Sequence, residues 1–116
     1  MLNTNTMHKA INICWECRAV CNETLFNYCL KTGGNHVKEA HVKLMTDCIQ
    51  MCQTSADFMT RNSELHMVTC NACADVCDAC AESCESIDCE TMKRCAEQCR
   101  KCAQSCRNMS TMKAAA

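Results

Sequence analysis

Cysteine thiols are the side chains of this sequence best suited to chemistry, and their spacing is regular. The stretch CNACADVCDACAESC, residues 70–84, contains five cysteines separated by steps of three and four residues. Such steps place side chains on one face of an α-helix. Thiolates are ligands for soft metal ions and for iron–sulfur clusters. The stretch therefore predicts a helix with one metal-binding face.

Short breaks in the chain separate the helices that must position these thiols. The sequence has two glycines and no proline, a composition typical of long helices joined by short turns. The breaks are predicted at KTGGNH (31–36), RNSEL (61–65) and ESIDCET (85–91). Polar residues in them are predicted to cap the helices that follow: Asn35, then Asn62 or Ser63, then Asp88.

The predicted helical segments are 5–31, 36–61, 64–85 and 89–110. Because the connections are short, successive helices should run antiparallel. The predicted fold class is therefore all-α. It is an antiparallel up-down-up-down four-helix bundle with a cysteine-lined core, forming one domain over residues 1–116.

Cysteines take the core-facing positions of every segment. At about 100° per residue, those of the first, third and fourth segments fall within arcs of about 120°, 80° and 60°. The second segment has two, one turn apart. The predicted core ligands are Cys14, Cys17, Cys21, Cys29, Cys48, Cys52, Cys70, Cys73, Cys77, Cys80, Cys84, Cys95, Cys99, Cys102 and Cys106. Cys89, also a predicted ligand, lies off its helix's face and is expected in a turn.

Composition narrows the classes of function. The formal net charge is −1 and aromatic residues are few, so binding to nucleic acid has no visible basis. Leu, Ile, Val and Phe together number sixteen, as many as the cysteines, so cysteine must supply much of the core. No set of residues suggests catalysis, and we expect a protein that is not an enzyme.

The polar N-terminal stretch MLNTNTMHKAINIC offers no apolar run long enough for a signal peptide or a membrane helix. We therefore expect a cytoplasmic protein without membrane association. In that compartment thiols stay reduced, and a cysteine-rich sequence favours metal binding over disulfides.

Copper(I) matches the cysteine pattern best. It selects soft thiolates, and it accepts two or three of them. One Cu⁺ per thiolate would leave the core neutral, whereas bare thiolates would repel one another. Many similar sites predict storage of multiple Cu(I) ions, with about one proton released per thiol.

Other uses of the thiols fit less well. Intrahelical disulfides would need Cβ atoms about 3.8 Å apart, nearer than the roughly 5–6 Å across one helical turn. Zinc prefers closed groups of four ligands, and the ferredoxin motif ends in a proline that this chain lacks. A zinc or general heavy-metal buffer of metallothionein type, or an iron–sulfur electron carrier, remain the alternatives.

These features resemble the bacterial copper storage proteins, and most closely their cytosolic branch. The resemblance rests on the cysteine-lined four-helix pattern, with CNACADVCDAC in the third segment and CAEQCRKCAQSCRNM in the fourth, and it covers essentially the whole chain. It implies Cu(I) bound by core cysteines and a homo-oligomer, commonly a tetramer. Members of that branch can have a His-rich loop between the last two helices, but SIDC, residues 86–89, contains no histidine.

Histidines and methionines extend the cysteine faces. His41 and His66 are in phase with the second and third faces, and Met109 continues the fourth. The resemblance implies that such residues help ions in and out, so these three join the predicted metal ligands. Antiparallel packing predicts two clusters at opposite ends: Met7, Met59, His66 and Met109 at one, and His41, Cys29, Cys84 and Cys89 at the other.

Residues off the cysteine faces are expected at surfaces or in contacts between subunits. His8 and His36 are predicted to be surface residues. The apolar positions of the second segment, Val37, Ala40, Leu44 and Met51, are a candidate oligomer seam. Copper ions are the expected ligand, and a copper chaperone is a candidate partner.

Overall fold

The computed structural model describes residues 4–114, and the regular secondary structure in that range is helical. Its elements are α1 (Thr4–Thr24), a π-helical turn (Leu25–Cys29), α2 (Leu30–Thr32), a 3₁₀ turn (Gly34–Val37), α3 (Glu39–Thr60), α4 (His66–Glu85) and α5 (Glu90–Met109). The first three are continuous and form one long helix. The four predicted segments are confirmed, with ends that shift by at most three residues.

Each long helix packs against two others around a shared core. α1 contacts α3 and α5, and α4 contacts the same two helices from the opposite side. The bundle measures 49 × 20 × 19 Å between Cα atoms. Sequential neighbours are spatial neighbours joined by short turns, so the predicted up-down-up-down four-helix bundle is confirmed.

The π-helical turn brings Cys29 into phase with the other cysteines of the first helix. Cys21 and Cys29 are eight residues apart, which in an uninterrupted α-helix would separate them by about 80° around the axis. A π turn holds one residue more than an α turn, so the effective spacing is seven residues and the angle falls to about 20°. Cys29 is accordingly fully buried.

The predicted N-cap residues do not cap the helices. The 3₁₀ turn separates Asn35 from α3, and Lys38 occupies the N-cap position instead. Leu65 and Cys89 occupy the N-cap positions of α4 and α5, and neither makes a side-chain capping hydrogen bond. Backbone turns and the packing of the bundle, rather than side-chain caps, therefore determine where these helices begin.

Two of the turns have conformations that match their residue types. Gly33 and Gly34 have φ angles of 74° and 59°, which favour glycine, and they confirm the first predicted break. In the second turn, Ser63 Oγ accepts a hydrogen bond from the Leu65 N–H at 3.1 Å. Ser63 therefore stabilises the turn before α4 rather than the helix itself.

Charged side chains cover the outer faces of the bundle. Arg100 donates to Asp78 Oδ1 at 3.0 Å and to Glu85 Oε1 at 2.7 Å, and Arg107 donates to Asp78 Oδ2 at 2.8 Å. Exposed ion pairs contribute little individually, so the core must hold α4 against α5. Within residues 4–114, no helix has both the length and the apolar character needed to cross a bilayer.

Candidate metal centre

The bundle core consists of sulfur and small side chains. Fifteen of the sixteen cysteines are buried, and Cys89 alone is partly exposed. Alanines at the helix contacts, among them Ala74, Ala81 and Ala103, let the backbones approach and bring the sulfurs together. The cysteine faces predicted from helical phase therefore do point inward, and Cys89 does lie in a turn.

Most of the core sulfurs form one connected network with separations of 3.5–4.0 Å between neighbouring Sγ atoms. All four long helices contribute to it. Its eleven members are Cys14, Cys17, Cys21, Cys48, Cys52, Cys73, Cys77, Cys95, Cys99, Cys102 and Cys106. These separations are far longer than the S–S bond of about 2.05 Å in a disulfide.

The remaining buried thiols contact other soft or polar atoms. Cys80 and Cys84 lie 3.5 and 3.6 Å from Met45 Sδ. Cys29 lies 3.7 Å from Met92 Sδ. Cys70 lies 3.4 Å from Ser55 Oγ. Thioether sulfur is a soft donor, so the chain of sulfur contacts extends beyond the thiols.

Three groups of four thiols are compact enough to hold a metal ion, with all sulfurs of a group within 4.8 Å of one another. They are Cys14, Cys73, Cys102 and Cys106; Cys17, Cys21, Cys48 and Cys99; and Cys17, Cys52, Cys77 and Cys102. The groups are not separate, because Cys17 and Cys102 each belong to two of them. Shared sulfurs are typical of bridged metal clusters rather than of isolated closed sites.

The sulfur spacing suits bridging by metal ions. For metal–sulfur bonds of about 2.3 Å, two sulfurs are about 4.6 Å apart around a linear ion, about 4.0 Å around a trigonal one and about 3.8 Å around a tetrahedral one. The observed 3.5–4.0 Å therefore accommodates three- or four-coordinate ions directly. Two-coordinate ions need small rotations of the cysteine side chains.

Burial raises the pKa of the core thiols and so favours their neutral form. The pKa of Cys29 is raised to about 11, first by burial and then by the nearby Cys95, Cys89 and Cys80 thiols. Hydrogen bonding to Cys102, together with burial, raises the pKa of Cys52 above its ordinary value. A dry core of neutral thiols avoids mutual repulsion, and a bound metal ion would have to displace their protons.

At one end of the bundle, thiols lie beside imidazoles. His41 is buried, with Nε2 3.8 Å from Cys29 Sγ and Nδ1 2.7 Å from Ser83 Oγ. Burial lowers the pKa of His41, so its imidazole is neutral and can act as a ligand at neutral pH. The predicted grouping of His41 with Cys29 is confirmed.

The same end carries the partly exposed thiol. Cys89 Sγ lies 3.7 Å from His36 Nε2, and the Tyr28 hydroxyl donates to Cys89 Sγ at 3.6 Å. The hydrogen bond with His36 lowers the pKa of Cys89. His36 is half-buried rather than the simple surface residue predicted, because the 3₁₀ turn directs it at Cys89. We call Cys29, His36, His41 and Cys89 the thiol–imidazole end.

The other end is closed by thioethers and one imidazole. Met7, Met59, His66 and Met109 belong to the buried core, and we call them the thioether end. His66 Nδ1 donates to the Ser63 carbonyl at 3.0 Å, which leaves Nε2 with a free lone pair. This nitrogen is buried and has no hydrogen-bond partner. An orphaned imidazole nitrogen at the same end of the bundle as three thioethers is a candidate metal donor.

Sequence reasoning missed several residues of the site. Ser55 lies seven residues after Cys48 on the cysteine face of α3, so its phase could have identified it. Ser83, which holds His41, lies beside the face of α4 and has no such signal. Tyr28 and His36 lie in or near a π-helical and a 3₁₀ turn, where α-helical phase does not apply.

Comparison with known protein families identifies the family of this chain. The family model described as copper storage protein matches residues 3–111. The chain belongs to the copper storage protein family. A comparison with curated protein sequences gave no match.

Several solved structures resemble this chain closely. The Nmul_A1745 protein from Nitrosospira multiformis is 40% identical with a TM-score of 0.89, over 93% of this chain and 97% of that one. The Cu(I)-bound copper storage protein BsCsp3 is 28% identical with a TM-score of 0.84, over 91% and 99%. The apo form of copper storage protein 3 from Bacillus subtilis is 30% identical with a TM-score of 0.81, over 90% and 98%. The predicted family and fold are both confirmed.

Proposed function

We propose that this chain stores and buffers copper by binding many Cu(I) ions in the bundle core. The observation that carries the proposal is the connected network of eleven buried sulfurs 3.5–4.0 Å apart, reached from all four helices. Membership of the copper storage protein family and the similarity to a structure that holds Cu(I) support it. The proposed ligands are the sixteen cysteines, with His41, His66 and Met109 at the ends.

Charge explains why such a core suits Cu(I). Each Cu⁺ that replaces one thiol proton leaves the interior neutral, so filling the core adds no buried charge. The ions can share sulfurs, as the overlapping four-thiol groups already do. The helices need not move far, since the sulfurs already lie within bridging distance of one another. The proposed role is storage without catalysis.

The proposal is tested by titrating reduced protein with Cu(I) under anaerobic conditions against a chromogenic competitor. Storage predicts roughly one ion per thiol or slightly fewer, with little change in helical circular dichroism. Saturation after one or two ions would contradict it. A Cys17→Ala/Cys102→Ala variant removes the two shared sulfurs and should bind fewer Cu(I) ions than wild type. The control Lys113→Ala changes an exposed residue after the end of α5 and should bind as many ions as wild type.

A zinc buffer is the second candidate, and one observation favours it. Tetrahedral zinc requires sulfurs about 3.8 Å apart, and each of the three four-thiol groups keeps its sulfurs within 4.8 Å of one another. However, the three groups contain only ten different cysteines, because Cys17 and Cys102 each belong to two of them. Three zinc ions could therefore not each have four cysteine ligands of their own. The same titration with Zn²⁺ distinguishes the two: storage of copper predicts few zinc ions and displacement of zinc by Cu(I).

The remaining parts of the proposal concern the setting of the protein. We propose that the whole chain acts as one storage domain in the cytoplasm, where the sixteen thiols would stay reduced. A copper chaperone is the proposed donor. Fractionation of cells expressing the chain, with detection by antibody, would test the location.

We also propose a homo-oligomer, with a tetramer as the expected form. Apolar side chains on the outside support it, notably Phe26, Leu30 and Val37, of which 53%, 49% and 37% is exposed. Val37 belongs to the predicted seam, where Leu44 and Met51 are half-buried. Light scattering that shows a monomer at all concentrations would contradict this part.

A further inference from the structure

We propose that Cys89 and His36 form an accessible acceptor site, at which Cu(I) carried by an external thiol is transferred into the protein. The proposal rests on the storage function and adds the place and chemistry of loading. The incoming species is a Cu(I)–thiolate complex, recognised through ligand exchange at copper.

Accessibility singles out Cys89. The other fifteen cysteines are buried, so an external copper complex cannot reach them without opening the bundle. Cys89 occupies the N-cap position of α5 with extended backbone angles, φ −159° and ψ 156°. This conformation takes its thiol off the core-facing side of the helix and into the turn, where it meets solvent.

The partners of Cys89 make a suitable first site for Cu(I). A metal–sulfur bond of about 2.3 Å and a metal–nitrogen bond of about 2.0 Å span about 4.3 Å when collinear. The Sγ–Nε2 separation of 3.7 Å is within a small side-chain rotation of that value. The Tyr28 ring packs edge-on against His36, with centroids 5.4 Å apart, and holds the imidazole in place.

A two-coordinate ion at this site would keep one position open. Both side chains are half-buried, so one flank of the pair faces solvent. An external thiolate could occupy that position during transfer, giving a three-coordinate intermediate of two sulfurs and one nitrogen. In the exchange, the donor's Cu–S bond breaks and a Cu–Sγ bond to Cys89 forms. The Cys89 thiol proton passes to the leaving thiolate, and copper remains Cu(I).

Soft ligands lead from this site into the core. Cys89 immediately precedes α5, and Met92 and Cys95 lie about one turn apart on that helix. Met92 Sδ is 3.7 Å from Cys29 Sγ, and Cys95 Sγ is 3.9 Å from Cys21 Sγ in the thiol network. An ion could therefore move inward by successive exchanges without leaving sulfur or imidazole ligands.

A second opening lies next to the same site. A depression of about 350 Å³ is lined by His41, Ser83, Asn35 and Lys38, among others. His41 contacts Cys29 and so joins this depression to the core. By contrast, all four residues of the thioether end are buried, whereas Cys89 and His36 of the thiol–imidazole end are partly exposed. The observations favour transfer at the thiol–imidazole end only.

The experiment measures the rate at which reduced protein is loaded from the Cu(I)–glutathione complex, followed by stopped-flow thiolate-to-copper absorbance under anaerobic conditions. Cys89→Ala and His36→Leu should each slow loading at least tenfold, while the final number of ions stays within one or two of wild type. Glu90→Gln, next to Cys89 but exposed and without a soft ligand, is the matched control and should load at the wild-type rate.

Unchanged loading rates in both variants would overturn the proposal. If a variant melts or loses helical circular dichroism, Cys89→Ser or His36→Gln replaces it and the same criterion applies. The storage function is judged separately by the final number of ions in wild type. A protein that fills its core at a rate independent of Cys89 and His36 would keep the storage function and lose the acceptor site.

Discussion

The two ends of the bundle hold soft ligands of different kinds, and only the thiol–imidazole end has two of them that are partly exposed. At the thiol–imidazole end, Cys89 and His36 are half-buried and come from turns. At the thioether end, His66, Met59 and Met109 come from helices or helix termini and are 0%, 1% and 2% exposed. Ligands in turns can be reached by a Cu(I) complex from solvent. Ligands on the inner faces of helices can only receive ions that have already passed through the core.

The largest expected difference between the ends is chemical reactivity. In native apo protein, one cysteine should react rapidly with a maleimide and the other fifteen should react slower by on the order of 100-fold, since they require opening of the bundle. Peptide mapping should place the rapid label on Cys89. Rapid labelling of Cys70, nearest to the thioether end in sequence, would show that this end opens instead.

Protons should compete with copper at the thiols and not at the thioethers. The pKa of Cys29 is about 11, so its thiol is protonated at neutral pH and copper must displace the proton. For each thiolate bond formed, apparent Cu(I) affinity should rise about tenfold per pH unit as the pH increases towards that pKa. Competition titrations at pH 6, 7 and 8 measure the slope. A slope near zero would mean that thioethers dominate binding.

The turn that positions His36 should depend on glycine. Gly33 has φ 74° and ψ −159°, a conformation that other residues rarely adopt. Gly33→Ala should destabilise the apo protein by about 1–3 kcal/mol from backbone strain alone, because nothing lies within 4 Å of the added Cβ. Gly34→Asn is the control, since asparagine tolerates the left-handed region. Urea denaturation measures both, and equal effects would contradict the account of this turn.

The same substitution at the two buried histidines should have different effects on stability. Both ring nitrogens of His41 have partners, so His41→Leu should cost the apo protein about 1–2 kcal/mol. His66 Nε2 is orphaned, and the Ser63 carbonyl keeps a hydrogen bond from the His66 N–H. His66→Leu should therefore be neutral or stabilising by up to about 1 kcal/mol. Urea denaturation of both variants gives the comparison, and a larger loss at His66 would contradict it.

The fold and the thiol core could be predicted because one periodicity governs both. Steps of three and four residues determine at once that a segment is helical and which side of it faces the core. Cys70, Cys73, Cys77, Cys80 and Cys84 therefore lie where the sequence places them. Cys29 deviates from the α-helical phase of the other cysteines in the first helix. A π-helical turn, which the sequence pattern does not predict, aligns its side chain with them.

The residues in turns could not be predicted in the same way. His36 lies off every helical face, and its proximity to Cys89 depends on two glycine conformations and a 3₁₀ turn. The predicted N-cap residues were wrong for a related reason. Asn35 and Asp88 have side chains suited to capping, but the turns place Lys38 and Cys89 at the N-cap positions instead. Local propensity is a weak guide where tertiary packing sets the helix ends.

The central claim is that a row of shared thiolates along the bundle axis binds the copper. Anomalous diffraction at the copper edge from crystals of fully loaded protein tests it most directly. The account predicts a string of copper peaks along the axis, each bound by cysteine sulfurs and many sharing a sulfur, with Cys17 and Cys102 among the shared ligands. One to three isolated peaks, each with four sulfurs of its own, or copper bound only outside the core, would contradict it.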